Sequence, residues 1–359
     1  MLYREAGQFK TSYAADQAIF PIRQDLFGVG AILLVGVVAV PMLANEWFLS
    51  TIMLPFLVFA LAAIGLNILT GYCGQLSLGT GGFMATGAFA AFKLTTAFPD
   101  LNIVIVFLLA GVVSAAVGIV FGVPSLRIKG FYLAVATLAA QFFLIWVYNK
   151  FGWFTNYSAS GVISAPPRTL FGDVIVTGSR ATVEARYWLA LAIVAVLALA
   201  VKNMVRSRIG RSWMAIRDMD IAAEIIGIRP LRTKLGAFAI SSFYCGIAGA
   251  LWAFLHTGTV EPLAFDVNRS FQILFMVIIG GVGSIVGSFM GAAFIVLLPI
   301  LLNIAPGMLG FDIPTALISH IEFMVFGALI VFFLIVEPHG LAQLWRIGKE
   351  KLRRWPFPY

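Results

Sequence analysis

The chain alternates long apolar runs with short polar segments. Runs of about 18 to 24 apolar residues recur from Phe27 to the region of Val336, and a helix of about 20 such residues crosses the hydrocarbon core of a bilayer. Turn signals such as Asn45-Glu46 and Pro99-Asp100 separate the runs. The pattern predicts an all-α integral membrane protein with spans at about 27–45, 48–70, 79–98, 101–123, 131–149, 187–202, 235–256 and 316–336.

The stretch from 271 to 303 is too long for one ordinary span, and Gly280–Ser284 interrupts it with three glycines. We interpret it as two short crossings, which gives about ten transmembrane helices. Ten crossings also place three basic segments, 127–129, 202–234 and 346–354, on one side of the membrane. Basic loops mark the cytoplasmic side. We therefore expect a bacterial inner-membrane protein with both termini in the cytoplasm.

Composition agrees with one integral membrane domain. Hydrophobic residues make up 61% and charged residues 11% of the 359, whereas soluble domains carry about 25% charged residues. The net charge of +8 is concentrated between the spans and is not interleaved with aromatics on a polar module, which argues against nucleic-acid binding. Cys73 and Cys245 lie far apart without metal-ligand spacing, so we expect no metal and no cofactor.

The chain divides into three parts by polarity. Residues 1–26 form a polar cytoplasmic tail, and residues 27–341 form the transmembrane domain. Within that domain, 203–233 is a charged cytoplasmic segment. Residues 342–359 form a basic cytoplasmic C-terminal tail.

Two glycine-rich segments, 65–87 and 280–293, also carry amide and hydroxyl side chains. Glycine in membrane runs permits close helix approach, or a helix break where backbone carbonyls line a cavity. Helix packing alone is the alternative for any single glycine. The combination with polar side chains favours a translocation path, predicted to include Asn67, Gly71, Gly74, Gln75, Ser77, Gly79, Gly280, Gly281, Gly283 and Ser284.

The segment from Lys202 to Lys234 holds eight basic and three acidic residues, more charge than a simple turn needs. Within it, the pattern from Ile216 to Gly227 predicts a short helix with its isoleucines on one face. One interpretation is an amphipathic helix held on anionic lipid by arginines. The other is a contact surface for a cytoplasmic protein.

Five ordered motifs resemble the LivM-type permeases of the branched-chain amino-acid ABC importer family, and together they span most of the chain. They are GLNILTGYCGQLSLGTGGFMATGAFAAF at 65–92, LRIKGFYLAVATLAAQ at 126–141, GRSWMAIRDMDIAAEIIGIRPLRTKLGAFAISSFYCGIAGALWA at 210–253, GGVGSIVGSFMGAA at 280–293 and EPHGL at 337–341.

The resemblance implies a type II ABC importer permease architecture with a cytoplasmic coupling helix. In such proteins this helix sits in a groove of the ATPase and transmits its closure to the membrane helices. We include Gln141, the last residue of the second motif, in the predicted translocation path. The residues that match the coupling motif here are Arg217, Asp218, Ala222, Ala223, Glu224 and Gly227.

Energy has to come from another subunit, because the sequence contains no GxxxxGK[ST] phosphate-binding loop. The expected partners are two ABC ATPase subunits, a second LivH-like permease, a periplasmic substrate-binding protein and the lipid bilayer. The external segments 150–186 and 257–270, the latter with Arg269, are candidate docking surfaces for the binding protein. Solvated loops are the alternative.

Ionisable residues in membrane runs are candidates for function because they are costly to bury in lipid. Lys93 and His256 lie near the outer ends of their predicted spans, and His320 and Glu322 lie in the first turns of the last one. None is a carboxylate or base at a helix midpoint, as an ion-coupled secondary transporter or channel would need. No HExxH or GxSxG motif supports an intramembrane enzyme.

The predicted function is therefore the permease subunit of an ATP-driven importer that translocates branched-chain or related amino acids and catalyses no reaction itself. After Gly79 this chain has Thr80-Gly81-Gly82, where His-Ala-Ala is usual in the family. That difference leaves urea, short amides and aromatic acids open as alternative substrates. A secondary transporter or channel is the rival from another class.

Overall fold

The chain folds into a bundle of long helices in the computed structural model, which describes residues 11–12, 23–125, 131–158, 160–170, 175–178, 181–308, 315–337 and 339–354. Within these residues the helices, numbered along the chain, are α1 (Arg23–Leu34, continued through Val35–Ala39 and Val40–Leu43), α2 (Glu46–Tyr72), α3 (Thr80–Ala97), α4 (Ile103–Ser125), α5 (Phe131–Lys150), α6 (Val183–Arg206), α7 (Arg208–Asp218), α8 (Asp220–Ile225), α9 (Pro230–Thr257), α10 (Val267–Gly280), α11 (Ile285–Met308), α12 (Thr315–Val336) and α13 (Gly340–Arg354).

Eight helices in the described part of the chain are long and apolar enough to cross a membrane: α1, α2, α4, α5, α6, α9, α10 with the turn before it, and α11. Helix α3 has 18 residues and carries Lys93, and α12 has 22 residues. With these two the bundle has ten long helices. The predicted fold class is confirmed, including the division of 271–303 into two helices.

The centre of the bundle is α9, which packs against α2, α3 and α4. Small residues make this contact close. A Cβ on Gly87 of α3 would overlap the carbonyl of Gly246, and one on Gly249 would overlap the carbonyl of Met84. Close backbone approach through small residues is the usual way in which membrane helices associate, because lipid offers no hydrophobic driving force between them.

The outer surface of the bundle is apolar, as contact with lipid requires. Exposed side chains on α4 and α5 include Val120 and Phe142. Helix α1 is attached to α6 through a hydrogen bond that the Tyr187 hydroxyl donates to the Gly36 carbonyl at 2.8 Å. The tightly packed centre and apolar periphery fit a protein that is solvated by acyl chains.

Short strands occur in the loop after α5. Strand β1 (Ile163–Ser164) pairs antiparallel with β4 (Thr259–Val260), which follows α9. Strands β2 (Arg168–Thr169) and β3 (Ile175–Thr177) form a second antiparallel pair. The guanidinium of Arg168 donates hydrogen bonds to carbonyls at the end of α3 and in the turn after it. These contacts fold the predicted external loop back onto the helix ends.

The predicted C-terminal tail contains a regular helix, α13, which packs against α10 and α11. Leu341 lies against the core, whereas Leu344 and Trp345 are exposed. Basic residues alternate with these apolar ones along the helix. This distribution is typical of a helix that lies in the membrane interface.

Several predictions fall on residues that the structure does not describe. They concern most of the N-terminal tail (1–10 and 13–22) and the basic pair Arg127 and Lys129. The side chains of His320 and Glu322 also lie outside the described part of the chain.

Candidate translocation and coupling site

Asn67 joins α2 to the turn between α10 and α11. Its side-chain Nδ2 donates to the Ser284 carbonyl at 2.8 Å and to Ser288 Oγ at 2.9 Å, and its Oδ1 accepts from the Gly283 amide at 2.8 Å. The side chain is buried, with 1% of its surface exposed. Buried polar groups need such partners, since each unsatisfied one destabilises the fold. In this conformation Asn67 is therefore a connector between helices.

Arg217, at the end of α7, reaches the same place from the charged segment 203–233. Its Nη1 donates to the Gly71 carbonyl at 3.0 Å, one turn after Asn67. Its Nε and Nη2 each lie 2.9 Å from Asp218 Oδ1. The guanidinium thus connects the charged segment directly to the last turn of α2.

Two glycines make room for this contact. A Cβ on Gly71 would overlap Asn67 Oδ1 and the Gly283 backbone nitrogen. Gly74 has a φ of +71°, and a Cβ there would lie 2.9 Å from Arg217 Cγ. A side chain at Gly74 would be strained in this left-handed conformation as well as crowded. We call the set Asn67, Gly71, Gly74, Arg217, Gly283 and Ser284 the coupling junction; it unites residues predicted for the path with one predicted for coupling.

The predicted coupling helix is not one helix, which corrects the interpretation of 216–227 as continuous. Met219 has extended backbone angles (φ −160°, ψ 102°), and it separates α7 from the six-residue α8. Arg217 and Asp218 therefore belong to α7. Ala222, Glu224 and Gly227 lie exposed on or just after α8, whereas Ala223 is buried.

Helix α8 presents apolar side chains to the outside. Ile221, Ile225 and Ile226 are 68%, 81% and 73% exposed, and Met219 beside them is 64% exposed. Neighbouring Trp213 of α7 is instead 1% exposed and anchors the segment in the bundle. An anchored helix pair with an uncovered apolar tip is suited to contact with another protein.

Between α2 and α3 the chain runs inside the bundle without helical structure from Gln75 to Gly79. Gln75 is 4% exposed, and its Oε1 has no hydrogen-bond partner among the described residues. Ser77 Oγ accepts a long, 3.4 Å hydrogen bond from the Gly79 amide. Irregular backbone at membrane depth is tolerated only inside protein or beside water. This is the part of the predicted path that keeps an unsatisfied polar group.

Gln141 of α5 braces the start of α3. Its Oε1 accepts hydrogen bonds from the Gly82 amide and from Ser270 Oγ (3.2 Å), and its Nε2 donates to the Phe265 carbonyl at 2.7 Å. The three bonds hold α3, α5 and the entry to α10 together. Gln141 is 1% exposed in this arrangement.

The motifs at 280–293 and 337–341 pack on each other. Gly281 has a φ of +121°, and a Cβ there would lie 2.5 Å from the His339 carbonyl. A Cβ on Gly280 would overlap the Gly287 carbonyl, and one on Gly340 would lie 2.6 Å from the Ile279 carbonyl. These glycines serve close packing where α10, α11 and α13 meet.

The sequence interpretation placed Arg269 in an external loop, but it lies in the first turn of α10, inside the bundle. Its Cζ is 5.0 Å from the ring centroid of Phe59 and 4.6 Å from that of Trp252. The chain re-enters the bundle through the 3₁₀ turn Pro262–Phe265, and Asp266 caps α10 by accepting from the Arg269 amide at 3.1 Å. The Pro262 turn and the Asp266 cap are the sequence signals that indicate an earlier start of this span, before residue 271.

The ten long helices of the described residues, their glycine-rich core and the charged segment 203–233 joined to that core are the architecture of a multi-pass inner-membrane protein that moves a solute. The family model described as "Branched-chain amino acid transport system / permease component" matches residues 48–334. The chain belongs to this family, and it is the permease subunit of an ABC importer, as the sequence motifs predicted.

Curated relatives agree over most of the chain. The high-affinity branched-chain amino acid transport system permease protein LivM of Salmonella typhimurium is 32% identical over 314 residues, covering 81% of this chain and 69% of the relative. LivM of Escherichia coli K12 is 30% identical over 346 residues, covering 90% and 76%. A probable LivM of Methanocaldococcus jannaschii is 26% identical over 335 residues, covering 82% and 92%. No solved structure matches.

Proposed function

We propose that this permease imports branched-chain or related amino acids together with two ABC ATPases, a second LivH-like permease and a periplasmic binding protein. The curated relatives named above are described as branched-chain amino acid transport proteins, which supports the substrate class. The observation that carries the mechanism is the hydrogen bond from Arg217 to Gly71, because it ties the cytoplasmic segment to the membrane core.

The first step of the mechanism takes place at the tip of the cytoplasmic segment 203–233. The exposed isoleucines of α8 dock into a groove of an ATPase subunit, and Glu224 offers a carboxylate to basic residues there. Burial of each isoleucine contributes about 1.5 to 3 kcal/mol when it leaves water completely. Anchored by Trp213, α7 and α8 then move with the ATPase as a unit.

The second step takes place at the coupling junction. A shift of α7 pulls on Gly71 through Arg217, and Asn67 passes the displacement on to the turn at Gly283 and Ser284. The ends of α2, α10 and α11 thus move together. Alternation between outward and inward access follows when the helices part at the irregular segment 75–79, where Gln75 supplies an unsatisfied polar atom to the path.

We infer that both termini lie in the cytoplasm. Ten crossings put the N-terminus on the side of the charged segment, and the basic helix α13 lies on that side as well. The loop after α5, with β1 to β3, and the segment after α9, with β4, then face the binding protein.

Co-purification of the tagged chain from its native membrane, followed by an ATPase assay on the complex, tests the proposal. We expect two P-loop ATPases, a second permease, and ATP hydrolysis that the loaded binding protein stimulates. A chain that purifies alone or as a homo-oligomer, without an ATPase, would contradict the proposed assembly.

A further inference from the structure

Arg269 is a cation at mid-depth in the bundle. Its guanidinium stacks on Phe59, which has thirteen residues of α2 on either side within the span Glu46–Tyr72. A charged side chain near the middle of a membrane span is expensive, and it usually faces a partner or a water-filled path. Arg269 is only half-buried, so part of its side chain is accessible from outside the protein.

The guanidinium of Arg269 forms no salt bridge among the described residues, although Asp266 in the same turn adds an electrostatic attraction. Its Nε donates to the Ala264 carbonyl at 3.3 Å and its Nη1 to Gln272 Oε1 at 2.9 Å, both uncharged acceptors. Asp266 uses its oxygens for the Arg269 backbone amide and for Asn268 Nδ2. No carboxylate of the described residues lies within 4.0 Å of the guanidinium, and three of its five N–H groups have no described partner.

A second donor beside it also lacks an acceptor. Trp252 is 8% exposed, its ring lies 4.6 Å from Arg269 Cζ, and its indole Nε1 is buried without a partner among the described residues. Indole nitrogen can only donate, and a buried donor without an acceptor destabilises the fold by about 1 to 3 kcal/mol. An anionic acceptor would satisfy the N–H groups of both Arg269 and Trp252 that lack a partner.

The surroundings indicate what else the ligand carries. Phe56 lies one turn before Phe59 on the same face of α2 and is half-buried. The centroid of its ring is 6.2 Å from that of Phe289 on α11. An anion held at Arg269 would thus have aromatic surface for an apolar group about one turn away.

We propose that Arg269 and the Trp252 indole form a carboxylate-binding site in the transport path, which selects solutes with a carboxylate and an apolar body. This inference rests on the proposed function and narrows it, because urea and short amides carry no charge for Arg269 to bind. Guanidinium and carboxylate match as planar forks, which gives the pair directional selectivity. Trp252 Nε1 is buried in this conformation, so it binds the second carboxylate oxygen only in a state of the transport cycle that exposes it.

The test uses the complete complex with its ATPases in proteoliposomes, with isovalerate and isovaleramide as competitors of leucine uptake. The two probes share one branched apolar body and differ only in the carboxylate. For the wild type we expect isovalerate to inhibit at a concentration at least about tenfold lower than isovaleramide, as expected for a charge-assisted hydrogen bond.

Arg269→Gln should abolish this preference, and Arg269→Lys should restore part of it, because lysine keeps the charge but not the fork. Trp252→Phe keeps the ring that stacks on the guanidinium and removes only the N–H, so it should weaken isovalerate inhibition by about tenfold. If Arg269→Gln does not assemble, Trp252→Phe decides. Lys93→Gln removes a cation at the outer end of α3 and is the matched control, with the preference unchanged.

Equal inhibition by the two probes in the wild type, or an unaltered preference in Trp252→Phe, would overturn the carboxylate site. Neither result would affect the proposed function, which depends on assembly with the ATPases and on their stimulation by the binding protein. Loss of those properties in the wild-type complex would instead contradict the proposed function.

Discussion

Removal of the Asn67 side chain should lower the free energy of unfolding by more than the loss of any one of its hydrogen bonds. Asn67→Ala deletes three interhelical hydrogen bonds, to Gly283, Ser284 and Ser288. Interhelical hydrogen bonds in membrane proteins contribute about 0.6 kcal/mol each on average. The Ser284 carbonyl and Ser288 hydroxyl still bond to each other at 3.3 Å, so the Gly283 amide alone is left unpartnered, at about 1 to 2 kcal/mol.

The expected loss for Asn67→Ala is therefore about 3 kcal/mol. Ser288→Ala is the matched control, because it deletes one of the three bonds of Asn67 and the long bond from Ser288 to the Ser284 carbonyl, and should lose only about 1 kcal/mol. Reversible unfolding of the purified protein in mixed micelles measures both free energies. Equal losses for the two variants would refute the assignment of Asn67 as the connector of α2 to α10 and α11.

Three further predictions concern packing, bracing and topology. Gly87→Val should prevent the close approach of α3 to α9 and abolish folding. Gly236→Val is the control, because a Cβ at Gly236 has no atom within 4 Å, and it should fold normally. Size-exclusion chromatography distinguishes the folded from the aggregated variant. Gln141→Ala should lower the free energy of unfolding by about 1 to 3 kcal/mol, because it removes the brace of α3 and α10. Cysteine introduced at Gly348 should react with an impermeant maleimide only from the cytoplasmic side, and cysteine at Trp153 only from outside.

Opposite results have equally definite meanings. Normal folding of Gly87→Val would contradict the close backbone contact, and an unchanged stability of Gln141→Ala would contradict its bracing role. Labelling of both introduced cysteines from the same side would contradict the proposed placement of α13 and the loop after α5 on opposite sides of the membrane. The native Cys73 and Cys245 are buried, which keeps background labelling low.

The membrane spans could be predicted from sequence because lipid requires each one to be long and apolar. The predicted span 48–70 lies within Glu46–Tyr72, and the glycines at 280–284 correctly divided the following stretch in two. Both features depend on local composition. The resemblance to the permease family then supplied the function, which the family match confirms.

Contacts between distant segments could not be predicted in the same way. Nothing in the spacing of Asn67 indicates that its partners lie more than 200 residues away. The break at Met219 was also missed, because apolar periodicity continues across it while the backbone does not. The apolar stretch that begins at Phe271 leaves Arg269 in the preceding segment, whereas packing on two aromatic rings holds it inside the bundle.

The central claim is tested most directly by ATP-driven uptake of leucine into proteoliposomes that contain the co-purified complex. Uptake is compared between two variants, Ile225→Glu and Ile209→Glu. Both isoleucines are exposed in the cytoplasmic segment, at 81% and 52%, but only Ile225 lies on the proposed docking tip. The account predicts that Ile225→Glu abolishes uptake and binding-protein-stimulated ATPase activity while the protein still folds, and that Ile209→Glu transports normally. Wild-type uptake by Ile225→Glu would contradict the claim that α8 couples ATP hydrolysis to transport.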